Sequence, residues 1–155
     1  MNAGEALAKG TAQLAAAGVD SPIADAEWLL AQVLDCPRPE LPLHRTVPLT
    51  PDQAVRWAEL LAGRKRRIPL QHLLGTANFC GLELAVNEYV LVPRPETELL
   101  AEAAWKMAGA MNAPRVLDIG TGSGCLAIAI AANTPNAEVH AVDISPEALA
   151  VARAN

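Results

Sequence analysis

Between Arg115 and Asp143 the chain reads RVLDIGTGSGCLAIAIAANTPNAEVHAVD, an order of residues that few folds accommodate. Val116, Leu117 and Ile119 form a short apolar run, the pattern expected of a parallel strand buried on both faces. Gly120, Gly122 and Gly124 follow at once, and Cys125 to Ala132 supply a small-residue, apolar helix. Glu138 to Val142 reads as a second strand, with Asp143 at its carboxyl end. Open α/β sheets bind ligands at the carboxyl ends of their strands, so loop and carboxylate are expected to face one crevice. The segment therefore predicts a site for a nucleotide-type cofactor, built from Gly120, Thr121, Gly122, Ser123, Gly124 and Asp143.

The glycine spacing narrows the choice of cofactor. The dinucleotide fingerprint G-x-G-x-x-G needs a third glycine where helix and strand pack closely. Here that position is Cys125, and the last glycine comes one residue early. This disfavours a nicotinamide-dependent oxidoreductase. Ser123 lies in G-S-G rather than G-x-S-x-G, which argues against a hydrolase nucleophile. Backbone can still approach an anionic group at the helix start, and Asp143 can accept hydrogen bonds from both hydroxyls of a ribose. D-I-G-T-G-S-G followed by a strand ending in V-D resembles the first two motifs of class I S-adenosylmethionine-dependent methyltransferases. The resemblance implies that the loop embraces the methionine portion of the cofactor and that the acid holds its ribose.

Upstream, Gln71 to Glu98 reads QHLLGTANFCGLELAVNEYVLVPRPETE. Pro69-Leu70-Gln71, Leu74-Gly75, Phe79-Cys80-Gly81, Val90-Leu91-Val92 and above all Pro93-Arg94-Pro95-Glu96-Thr97-Glu98 resemble the protein-(glutamine-N5) methyltransferases of peptide-chain release factors, the PrmC/HemK family. That resemblance implies a multidomain α and α/β chain. A helical substrate-docking domain would occupy residues 1–74 and a β-hairpin connector 75–93. The first part of a Rossmann-like S-adenosylmethionine-binding domain would occupy 94–155. It implies that Arg94, Pro95, Glu96 and Thr97 border the cofactor and substrate pocket. The family's Asn-Pro-Pro-Tyr loop has no counterpart in this sequence. Asn112-Ala113-Pro114 and Asn133-Thr134-Pro135 lack its second proline and its aromatic residue. The chain is accordingly expected to be a fragment or truncated product without a catalytic residue of its own. Only two parallel strands are encoded, so the first should leave an apolar edge. Two other functions stay open: N-methylation of adenine or another protein, and non-catalytic partner binding through the helical region.

Composition sets further bounds. Hydrophobic residues make up 52% of the 155 and charged residues 19%, the balance of a globular chain. Residues 1–75 carry eight basic and eight acidic side chains, whereas residues 76–155 carry four and nine, which gives the net charge of −5. An acidic cofactor half argues against a nucleic-acid substrate, since phosphate backbones are met by Lys and Arg. Cys36, Cys80 and Cys125 share no close spacing, and neither do His44, His72 and His140, so neither a disulfide framework nor a metal site is indicated. No apolar run reaches membrane-spanning length, and the amino terminus lacks the pattern of a secretory signal. The expectation is a cytoplasmic protein.

Start and stop signals place the amino-terminal helices. Asn2 with Glu5 reads as a capping box, and Gly18 as the stop. Ser21-Pro22 opens a second helix with Ile23, Ala26, Leu29, Leu30, Val33 and Leu34 on its apolar stripe, and Cys36-Pro37-Arg38-Pro39 ends it. Thr50-Pro51-Asp52-Gln53 opens a third, with Val55, Ala58, Leu61 and Ala62 as the expected buried face. Trp28 and Trp57 are read as packing residues. Arg64-Lys65-Arg66-Arg67 reads as a solvated helix end that complements the helix dipole. Alternation at Leu82, Leu84 and Val86 suits a hairpin after a Cys80-Gly81 turn. Pro95 opens a helix from about Glu96 to Met111, with Glu96 and Glu98 at its positive end.

Overall fold

Two capping boxes fix where the amino-terminal helices begin. The computed structural model describes every residue from Met1 to Asn155, and the chain divides into two compact units, Met1–Leu74 and Gly75–Asn155. In helix α1 (Ala3–Ala16), Asn2 Oδ1 accepts from Glu5 N at 2.8 Å while Glu5 returns a bond to Asn2 N. The helix ends in a Schellman motif. Gly18 N donates to Ala15 O, Val19 N donates to Leu14 O, and Gly18 adopts φ +73°, the left-handed geometry that glycine takes at least cost.

Helix α2 (Pro22–Leu34) buries Ala26, Leu29, Leu30, Ala31 and Val33. Ile23, placed on that stripe by its spacing, is instead 62% exposed, in the first turn of the helix. A 3₁₀ turn over Arg38–His44 follows, which the proline-rich sequence had marked only as a stop. Helix α3 (Pro51–Lys65) opens on a second capping box, Thr50 with Gln53. Its buried face is Trp57, Leu60, Leu61 and Gly63: Leu61 is inside as expected, whereas Val55, Ala58 and Ala62 are exposed. Burying the Trp57 ring removes far more apolar area from water than burying a valine and two alanines, so the helix is rotated to bring Trp57 inward. The short helix α4 (Leu70–Leu74) closes the unit, with Gln32 Nε2 donating to Leu74 O at 2.8 Å.

The basic run is split in two by this packing. Lys65, Arg66 and Arg67 are exposed, as a solvated helix end requires. Arg64 turns inward, where its Nε donates to Asp25 Oδ2 at 2.6 Å and its Nη1 to Ile68 O at 3.1 Å. Asp25 is thus a buried carboxylate with a partner, which a charge in a helix interface needs. Trp28 stays at the rim, with the Arg38 guanidinium 5.4 Å from its ring centre and Arg38 in turn bonded to Glu27.

In the second unit, β1 (Thr76–Phe79) and β2 (Leu82–Ala85) form an antiparallel hairpin. Its two-residue turn has Cys80 at φ +51° and Gly81 at φ +78°, the paired positive angles of a tight hairpin turn. Helix α5 (Pro95–Gly109) has Arg94 as its N-cap. Strand β3 (Arg115–Ile119) runs parallel to β4 (Glu138–Val142), with Arg115 opposite Glu138 and Ile119 opposite Val142. Helices α6 (Cys125–Asn133) and α7 (Pro146–Ala154) follow the two strands. Phe79, Leu84, Ala101 and Ala129 form one core cluster, and Ala77, Val86, Val90, Val92, Ala148 and Val151 a second. The hairpin is thus packed into the same unit as the α/β elements. Strand β3 is not buried on both faces: Leu117 is 58% and Ile119 77% exposed. Leu117 and Ile119 stand two apart on the strand and so share one face, which no element covers; separately, β3 pairs only with β4 and has one unpaired edge.

Gly10 of α1 touches the Trp57 ring so closely that an added Cβ would lie 2.3 Å from Cζ2. Gly10→Ala gains about 1 kcal/mol of helix propensity, but its Cβ would have to displace the rigid Trp57 ring, which is only 3% exposed. Overpacking of this kind costs roughly 1–3 kcal/mol. The variant is expected to be less stable than the parent, seen as a lower midpoint in urea denaturation.

Candidate cofactor site

The glycine loop begins where the two parallel strands end. Gly120 N and Thr121 N both donate to Val142 O, at 2.8 and 3.0 Å, so the loop is tied to the last residue of β4. Gly120, Gly122 and Gly124 have φ of +76°, +54° and +82°. Three left-handed residues in five are feasible only as glycines. Between them, Gly124 N donates to Thr121 O at 2.8 Å, and Thr121 Oγ1 donates to Asp118 Oδ2 at 2.7 Å. Asp118 was not singled out by sequence reasoning; the signal was a charged side chain inside an otherwise apolar strand.

Asp143 closes the arrangement. Its Oδ2 accepts from Gly122 N at 2.8 Å, and its Oδ1 accepts from Ser145 N at 3.0 Å. Ser145 is itself the N-cap of α7, its hydroxyl accepting from Ala148 N. Backbone N–H donors, those of Ser145 and then Gly122 foremost, hold the Asp143 carboxyl below its ordinary value. Each carboxylate oxygen retains a second lone pair, so the residue can still accept from a ligand hydroxyl. A hollow of about 410 Å³ opens beside it, lined by Ala141, Val142, Leu149, Ala152 and Arg153. A slightly larger one, about 450 Å³, lies in the helical unit around Glu27, Arg38 and Arg45. It has no glycine loop and is not where the chemistry gathers.

The loop is open on one side and closed on the other. A Cβ built on Gly120 or Gly122 meets nothing within 4 Å, whereas one on Gly124 would lie 3.1 Å from Ile128 Cδ1 and 3.2 Å from Ala152 Cβ. Bare backbone is thus presented at Gly120 and Gly122, a cradle that suits close approach by a nucleotide-like ligand. Ser123 is buried, and its Oγ has no hydrogen-bond partner. Burial pushes the adjoining Cys125 thiol up, and the Ser123 side chain only partly draws it back. No group of three or more His, Cys, Asp or Glu residues is placed to hold a metal ion. No helix is long and apolar enough to cross a membrane.

Arg94, Pro95, Glu96 and Thr97 form the start of α5, with Thr97 N donating to Arg94 O. No hydrogen bond or ion pair joins these four residues to the loop or to Asp143. The PRPETE residue with a tertiary bond is Glu98, whose Oε1 accepts from Cys80 N at 2.8 Å. It fastens the hairpin turn to α5 at a backbone amide that the left-handed Cys80 turns outward. Burial, and secondarily this carboxylate, push the Cys80 thiol up.

Comparison with known proteins agrees with this geometry. Residues 5–75 match the family described as PrmC N-terminal domain, and residues 116–155 match the family described as methyltransferase domain. A release factor glutamine methyltransferase of Deinococcus radiodurans is 44% identical over 149 residues, covering 96% of this chain and 54% of the relative. Proteins of the same name from Geobacter sulfurreducens and Mycolicibacterium smegmatis are 43% and 46% identical; the matches cover 92% and 97% of this chain, and 49% and 52% of those proteins. The glycine loop, the strand-end acid and the helical unit together define a methyltransferase-type α/β fold joined to a PrmC-type amino-terminal region. By sequence the chain is similar to the release factor glutamine methyltransferases, its first part through the PrmC N-terminal domain and its last part through the methyltransferase domain. It spans about half the length of the curated relatives it matches.

Two measurements test the loop. Gly120→Ala strains a left-handed residue in open space, costing about 1–2 kcal/mol. Gly124→Ala adds the clash with Ile128 and Ala152 and is expected to cost about 1 kcal/mol more, read from paired denaturation curves. The second concerns acid. The Asp143 carboxyl is depressed when folded, so its contribution is present above the ordinary carboxylate value of 3.8 and lost as pH falls through the folded value. The Gly122 and Ser145 amide shifts are expected to titrate together, with a shared midpoint below that value. In Asp143→Asn neither should titrate.

Proposed function

We propose that this chain serves the S-adenosylmethionine-dependent methylation of the glutamine in the Gly-Gly-Gln motif of peptide-chain release factors. The observation that carries the reading is the glycine loop clasped to Asp143, in a chain whose helical half and cofactor half both match the same named relatives. In this reading Met1–Leu74 docks the protein substrate, residues 75–93 connect, and residues 94–155 hold the cofactor. Gly120, Thr121, Gly122, Ser123 and Gly124 receive the methionine portion and Asp143 the ribose. Arg94 to Thr97 border the pocket, a role supported by the family resemblance alone. The reaction belongs in the cytoplasm, where release factors work.

S-adenosylmethionine supplies an electrophilic methyl group when bound. The residues of this chain contribute alignment, the larger part of catalysis in an in-line displacement. The loop is held by Val142 O, Thr121 O and Asp143, so it arrives already folded, and the ordering cost of binding is reduced. A glutamine amide nitrogen is a poor nucleophile, its lone pair being delocalised into the carbonyl. Hydrogen-bond acceptors at its two N–H groups are needed to orient it and to stabilise developing charge. No Asn-Pro-Pro-Tyr sequence is present in this chain to supply them.

The test is a chimaera in which residues 1–155 replace the matching half of the Geobacter sulfurreducens relative. Incubated with S-adenosylmethionine and a release factor, it is expected to add one methyl group to glutamine, read by peptide mass spectrometry. Methylation confined to adenine in nucleic acid or to other proteins would replace this reading with another N-methyltransferase. Binding of a release factor without methylation would favour a non-catalytic role.

A further inference from the structure

Asn155 joins three parts of the second unit through one side-chain amide. Its Nδ2 donates to Ser123 O at 2.8 Å and to Ala85 O at 3.1 Å, and its Oδ1 accepts from Ala85 N at 2.6 Å. Residues along an antiparallel strand alternate between facing their partner's backbone and facing away. Val86 N donates to Gly75 O, so Ala85, one residue earlier, presents its N–H and C=O to the free edge of the hairpin. The Asn155 amide meets that edge as the peptide of a third strand would. Its remaining N–H reaches the glycine loop.

The peptide between Ser123 and Gly124 is thereby held at both ends. Its carbonyl accepts from Asn155, and its N–H donates to Thr121 O at 2.8 Å. It lies between Gly122 and Gly124, both at positive φ, where glycine backbone resists reorientation least. Ala152, one turn before Asn155 on α7, covers the same point, 3.2 Å from where a Gly124 Cβ would stand.

We propose that Asn155 is a positioning residue for the glycine loop: it sets the plane of the Ser123–Gly124 peptide and links the loop to the edge of the β-hairpin. Its importance for cofactor binding rests on the reading given above, but its hold on the loop does not. Amide hydrogen exchange, followed by NMR on the 155-residue chain, separates the two. In Asn155→Ala, the Ala85 amide loses its acceptor and is expected to exchange about tenfold faster; the Gly124 amide keeps its bond to Thr121 O but is expected to exchange faster too, since the peptide that carries it is no longer held at its carbonyl. The β3 amides should stay as in the parent, with Tm lowered only by the few degrees that the lost bonds cost. Asn136→Ala is the control, since Asn136 Nδ2 reaches only Met111 O, at 3.5 Å, before β4 begins. S-adenosylmethionine, titrated in parallel at a temperature where both chains are folded, is expected to bind Asn155→Ala about tenfold more weakly. Unaltered exchange at Gly124 overturns the proposal. So does faster exchange throughout β3 and β4 with a Tm that falls further than that, which would make Asn155 a general stabiliser. Failure of the parent chain itself to bind S-adenosylmethionine would remove the cofactor reading, and the exchange result would still decide whether Asn155 holds the loop.

Discussion

One carboxylate holds the second unit's loop region in register. Asp143 binds Gly122 N through one oxygen and Ser145 N through the other, bridging the loop after β3 and the start of α7. Neither backbone stretch has a regular ladder to satisfy its amides at that point, and a buried or half-buried N–H without an acceptor is costly. The bridge also dictates sequence. An acid must stand at the end of β4, and the residue that meets it must expose its N–H while adopting positive φ, which glycine does at least cost. Loop conformation, strand end and helix start are therefore one interaction seen from three sides.

The helical unit is organised differently, by shape. Its helices are started by capping boxes and a proline and ended by glycine or an αL residue, all local devices. What fixes their mutual rotation is the Trp57 ring against Gly10 and the enclosed Asp25–Arg64 pair. The pair removes two charges from water and so adds little net stability. Its geometry nevertheless demands one facing of α2 towards the end of α3. Large aromatic volume and charge pairing act here as selectors among several faces that apolar periodicity alone would allow.

That distinction explains what could be read from the sequence. Strands 115–119 and 138–142, the hairpin turn at Cys80-Gly81 and the starts of α1 and α3 follow from patterns spanning only a few residues, and all were legible. The buried face of α3 was not, because Val55, Ala58 and Ala62 score as apolar whether or not a tryptophan displaces them. The motif carrying the candidate site was legible as glycines plus a strand-end acid. Its wiring was not. Glu98 to Cys80 N and Asn155 to Ala85 and Ser123 are bonds from side chains to distant backbone. Backbone groups leave no trace in residue identity.

The thiols share an environment that bears on the chain's chemical durability. Cys80 and Cys125 sit beside the hairpin turn and the glycine loop, and burial raises both above the ordinary thiol value; Cys36 in the helical unit is raised in the same way. The thiolate is the species that attacks disulfides and peroxides, and a raised thiol presents less of it at neutral pH. A site whose working parts are backbone amides and one carboxylate is thus flanked by sulfur that is chemically quiet.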